Sequence, residues 1–183
     1  LTALPVQQSC HAQFMADMKA VVDDFYLLLP EQIQLSLRQQ GGLCDPPGLT
    51  RLQNGLNQLR PWLTQKFTHA YPMHPELRAS QLGSASTNPT DSVDMERVDD
   101  WIRRTTIAQK VVESISPLPD EFNRHYSHLL NSTGKPVDHP FQLDVVLNVL
   151  ADLIAPLKLD PNQRAFCYEL MGQAFQKHAA TLY

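Results

Sequence analysis

The stretch DHPFQLDVVLNVLADLIAPLKLDPNQRAFCYELMGQAFQKHAATLY, residues 138–183, decides the fold. It reads as two amphipathic helices, Asp138 to Leu157 and Asp160 to Tyr183, joined by a very short turn. In the first, Phe141, Val145, Val149, Leu150, Leu153 and Leu157 form one apolar row at helical spacing, entered through His139-Pro140. The second opens on Asp160-Pro161-Asn162-Gln163. Asp160 suits the cap, Pro161 the first position, where an amide would go unpaired in any case, and Gln163 completes a capping box. Phe166, Leu170, Ala174 and Leu182 then face the core.

Upstream, Phe14, Met18, Val21, Phe25 and Leu28 step by three and four residues and predict a helix over about Gln7 to Leu29. Pro30 lacks an amide hydrogen, so the chain is expected to bend there and restart as Glu31 to Gln39, ending at Gly41-Gly42. Leu49, Leu52, Leu56, Leu59, Leu63 and Phe67 give the most regular pattern, opened by Asp45 or Pro46-Pro47. Pro61 inside that row predicts a kink or break, with Trp62 marking the bend. Periodicity is lost from Pro72 to Ser92, which reads as a long mobile loop. Val98, Trp101, Ile102, Thr105, Ala108, Val112 and Ile115 restore helical spacing. Phe122, Tyr126 and Leu129 mark a short helix beginning near Pro119 and ended by Gly134 and Pro136.

No segment sustains two-residue alternation, so no sheet is predicted. The expectation is an all-α bundle of six or seven amphipathic helices. It forms a single domain with a first helical half (1–71), a loop or linker (72–92) and a second helical half (93–183). At 183 residues such a chain buries roughly 70% of the surface it exposes when unfolded.

Composition narrows the function. The chain is 43% hydrophobic and 19% charged, with no apolar run near the ~20 residues of a membrane span. A net charge of -4 lacks the basic excess that grips phosphate backbones, so nucleic acid is not an expected partner. The acidic excess is local to Asp91, Asp94, Glu96, Asp99 and Asp100, which read as the charged start of a helix. Cys10, Cys44 and Cys167 include no close pair, which argues against disulfides and zinc knuckles and for a reducing, cytoplasmic setting. The Asn131-Ser132-Thr133 sequon is too short a match to carry weight. No signal peptide is legible, and the first residue, Leu1, is read as lying inside a longer chain.

Few residues assemble chemistry. Glu121, His125 and His128 share one helical face and are the best metal candidates, but no partner motif supplies the remaining ligands, so a solvated histidine pair is the plainer reading. His69 and His74 bracket a loop edge and nothing in their spacing requires a site. Cys10-His11 diverge by about 100° on a helix, which leaves Cys10 an ordinary thiol. Asp23-Asp24 and Asp99-Asp100 lack the following acidic positions of a metal-diphosphate motif, and no glycine-rich phosphate loop exists. No catalytic residue, resident metal, cofactor or small-molecule ligand is therefore expected. Trp101, Arg103 and Arg104 are the candidate partner-binding group, since tryptophan and arginine are enriched at binding hot spots. The competing reading puts Trp101 in the core, because it lies on the apolar row, and leaves the arginines solvated.

Across His139-Pro140-Phe141, Leu159-Asp160 with Arg164, Phe175 and Leu182-Tyr183, the chain resembles a large proteobacterial family, the domain of unknown function 1631. The segment Val98 to Leu130 is compatible with it. The chain departs from that pattern after His139-Pro140, where Phe141-Gln142-Leu143-Asp144 replaces a second proline or acidic turn. The resemblance implies the N-terminal helical region of a longer bacterial cytoplasmic signalling protein, with a cyclic-di-GMP-binding PilZ domain elsewhere in some members. It carries over no catalytic residues, and the thymidine phosphorylase label attached to some members finds no phosphate cradle or nucleoside motif here. The expected function is non-catalytic protein–protein interaction or self-association, the alternative a metal-binding domain or metal-dependent enzyme using Glu121, His125 and His128.

Overall fold

A computed structural model of the chain describes residues 3–38, 46–70, 95–130 and 141–183, with side chains from residue 8 and not at 127–130. Seven α-helices run through these residues: α1 (Ala3–Arg38), α2 (Pro46–His69), α3 (Met95–Ile115), α4 (Leu118–Leu130), α5 (Leu143–Ile154), α6 (Pro161–Lys177) and α7 (Ala179–Leu182). A 3-10 turn, Ala155–Leu157, follows α5, and there is no strand among the described residues. The all-α expectation holds. The expected loop at 72–92 and the helix ends at Gly41-Gly42 and Gly134-Pro136 lie outside the described residues.

α6 sits at the centre, with α1, α3 and α5 packed around it. Phe166, Cys167, Tyr168, Leu170, Met171, Gly172, Ala174 and Phe175 are all buried, more than one face of a helix can supply. Its start follows the sequence reading. Asp160 accepts from the amides of Asn162 and Gln163, both at 2.9 Å, while Gln163 Oε1 accepts from the Asp160 amide at 3.2 Å. The expected single helix to Tyr183 instead divides at His178, between α6 and α7. At Gly172 an added Cβ would stand 3.1 Å from Val111 Cγ2, so the missing side chain sets how closely α3 approaches α6.

α1 packs along α2 and α6, with Phe14, Met18, Val21, Val22, Phe25, Tyr26, Leu29 and Ile33 buried. Neither expected break occurs, because α1 runs through Pro30 and α2 through Pro61. Each proline removes one helical hydrogen bond, yet both face solvent, and buried residues on either side of each keep both helix halves docked. Trp62 is exposed on the outer side. One turn before Pro61, the Leu56 carbonyl takes a hydrogen bond from Tyr26 Oη at 2.8 Å, and the Arg60 guanidinium lies 5.0 Å above the Tyr26 ring.

α5 begins at Leu143, later than expected, and its inward row is rotated. Phe141, Val149 and Leu150 of the expected row are buried and Val145, Leu153 and Leu157 half-buried, while Leu143, Val146, Leu147 and Ile154 join the buried side. Asp144, Asn148 and Asp152 form one polar stripe at four-residue spacing, and the buried residues lie on the other faces, packed among α3, α6 and α2. An aromatic cluster closes one end: Phe141 lies 4.7 Å from Phe14, 5.9 Å from Tyr126 and 6.0 Å from Phe122, centroid to centroid.

Candidate interaction surface

The register of α3 departs from its apolar spacing. Asp100 and Arg104, four residues apart, turn inward with Ile107, Ala108, Val111 and Ile115, and partners on α5 and α6 make this possible. Asp100 Oδ1 accepts from Arg164 Nε at 3.0 Å, and Oδ2 accepts from Tyr168 Oη at 3.0 Å. Arg164 also donates to Glu96 Oε1 at 2.7 Å and to the Leu159 carbonyl at 3.0 Å. Arg104 donates to Asn148 Oδ1 at 2.6 Å, and its Nε lies 3.3 Å from Asp100 Oδ2 without hydrogen-bond geometry. Charges this sheltered are tolerable only when paired, and the pairing fixes one rotation of α3 against α6. Burial, followed by the Asp100 charge, pushes the Tyr168 phenol up, so it stays protonated and donating. Burial alone would lower the Arg164 guanidinium, and Glu96 and Asp100 more than offset that.

The same rotation carries the neighbouring positions outward. Adjacent helical residues differ by about 100° in direction, which places Trp101 and Ile102 on the flank away from α6. They are 52% and 49% exposed. Thr105 is exposed beside them, with Val98 and Val112 half-buried on the same strip. Trp101 is therefore not a core residue, contrary to the reading its place on the apolar row favoured. The apolar row of α3 faces solvent at its N-terminal end because the ion pairs hold the other face inward. Arg103 is exposed and borders a cavity of about 210 Å³ shared with Glu96, Asp99, Asp100, Pro161 and Arg164. Arg104 does not join that surface, because it is committed to Asn148 and Asp100. Of the three partner-binding candidates, the fold brings Trp101 and Arg103 to the outside and takes Arg104 into the seam.

A second polar knot ties α1 to the α6–α7 junction. Asp24 Oδ2 accepts from His178 Nε2 at 2.6 Å and from Lys177 Nζ at 2.8 Å. The hydrogen bond from Lys177 holds the Asp24 carboxyl below its ordinary value; burial works against this and His178 reinforces it. Asp23 is likewise lowered, first by its hydrogen bond from Lys19, and has Arg60 at 3.5 Å. Asp23-Asp24 thus serve as anchors for cationic side chains. Neither knot is a sequence motif. The only local trace of the first is the four-residue interval between Asp100 and Arg104, the spacing of a helical ion pair.

Glu121 and His125 are both exposed on α4, and the side chain of His128 lies outside the described residues. Among the described residues, no three His, Cys, Asp or Glu side chains are grouped to hold a metal ion. His11 is buried and Cys10 half-buried, while His69 is exposed near the end of α2. His74 and the Asn131 sequon fall outside the described residues. No described helix is long and apolar enough to cross a membrane. No family model, curated protein or solved structure matches this chain.

Proposed function

We propose that this chain is a non-catalytic helical module for protein–protein contact or self-association within a larger bacterial cytoplasmic signalling protein, as its resemblance to the domain of unknown function 1631 family implies. Any cyclic-di-GMP-binding part belongs to other domains of that protein. The observation that carries this reading is the exposure of Trp101 and Ile102, at 52% and 49%, on a helix face held in position by ion pairs. A tryptophan held in position on a helix face is among the side chains most enriched at binding hot spots, and exposed Ile102 and Thr105 extend the surface beside it.

Light scattering on the purified chain, together with capture experiments using it as bait, tests the proposal against the variant Trp101→Asp. Association or a captured, identified partner is expected for the wild type. The variant should lose it by about thirtyfold or more, the order of a hot-spot truncation, while keeping its unfolding midpoint. A strict monomer that captures nothing, or binding indifferent to Trp101, contradicts the proposal.

A further inference from the structure

The connection after α5 closes against α2 around a polar cavity far along the chain from Trp101. Gly55 makes the approach possible, since an added Cβ there would stand 3.1 Å from Leu157 Cδ2. Beside this contact lies a cavity of about 400 Å³, with Gly48, Arg51 and Leu52 of α2 on one wall and residues from Leu157 to Gln163 on the other. Its size is within the range of small-ligand sites.

The lining carries an unbalanced set of donors. Arg51 and Lys158 are exposed, and neither forms an ion pair with another described residue. Gln163 adds a held amide. Its Oε1 is occupied by the Asp160 backbone amide at 3.2 Å, which leaves the Nε2 hydrogens available. The one carboxylate of the lining, Asp160, is engaged as the cap of α6, its Oδ1 taking two backbone amides at 2.9 Å. Lys158 adopts φ 50°, the left-handed conformation, and is the one non-glycine with positive φ among the described residues. Glycine or asparagine usually fills such a helix-terminal position. A lysine there brings a cation to the cavity at a conformational cost.

We propose that this cavity binds the phosphoryl group of a small molecule, either free phosphate or a small phosphate monoester. Arg51 supplies the planar fork, Lys158 the point charge and Gln163 a neutral donor. The assignment is independent of the proposed contact function on α3.

Calorimetric titration of the whole chain with inorganic phosphate and with glycerol phosphate, at an ionic strength held constant with sodium chloride, tests it. Saturable binding is expected, weakened about tenfold or more in Arg51→Gln and in Lys158→Gln, with Arg51→Lys intermediate. Both positions are exposed, so the variants should fold, and their circular dichroism and unfolding midpoints verify this. Tighter binding of glycerol phosphate identifies an ester as the ligand, equal or weaker binding identifies the free anion, and either supports the site. Absence of saturation with both probes, or affinities unchanged in the Arg51 and Lys158 variants, overturns the proposal.

Discussion

Asp100 ties α3 to α6 through two side chains of that helix. It accepts from Arg164 and Tyr168 on α6 and stands as counter-charge 3.3 Å from Arg104 on its own helix, so its loss leaves the Arg164 Nε–H and the Tyr168 hydroxyl without that acceptor and Arg104 without its nearest negative charge. Asp100→Ala should therefore cost roughly 3 kcal/mol in urea unfolding, and a loss below about 1 kcal/mol would place the pairing among ordinary surface contacts. Asp24 offers a test by pH. Its carboxyl is held below the ordinary 3.8 in the folded chain, so the unfolded chain binds the proton more readily. The stability it contributes is complete above the unfolded value and lost as pH falls through the folded one. Asp24→Asn should narrow the stability gap from wild type as pH drops from about 5 to below about 3, and a gap independent of pH would contradict the assignment. Lys158 permits a third check. Lys158→Gly relieves the left-handed strain at φ 50° and should raise stability by about 0.5 kcal/mol after the added freedom of the unfolded chain is counted. A destabilised variant would mean that the lysine side chain holds the turn.

At the scale of elements, legibility in the sequence followed how local the determining interactions are. The start of α6 was readable to the residue, because a capping box is complete within Asp160 to Gln163. The rotation of α3 was not, because its apolar spacing pointed Trp101 inward and the partner that prevents this, Arg164, lies 64 residues away from Asp100. At Pro30 and Pro61 local propensity argues for a break, and packing on both sides of each proline keeps the helices continuous. Of the candidate site, Trp101 and Arg103 were legible as residue types, while the inward commitment of Arg104 and the placing of Arg51 and Lys158 on one cavity depend on how distant segments pack. The closeness of α3 to α6 rests on Gly172. Gly172→Leu should push Val111 away and cost about 2 kcal/mol or more, whereas Gly172→Ala, with one contact at 3.1 Å and better helix propensity, should stay within about 1 kcal/mol. Equal behaviour of the two in thermal unfolding would show that the helices are not in close contact there.

For the molecule as a whole, the buried side chains of α1, α2, α5 and α6 form one continuous core, and the polar seam beside it determines which side of α3 remains outside. The interaction surface is therefore a consequence of how charges are neutralised inside, as much as of which apolar residues the chain contains. Trp62 and Trp101 are the two tryptophans of the chain, so the most direct measurement is iodide quenching of Trp101 fluorescence in a Trp62→Phe background, on dilute protein without a partner. The expected result is red-shifted emission that iodide quenches to a substantial fraction of the extent seen for free tryptophan, consistent with a side chain half open to water. Blue-shifted emission that iodide cannot reach would place Trp101 in the core and contradict the account.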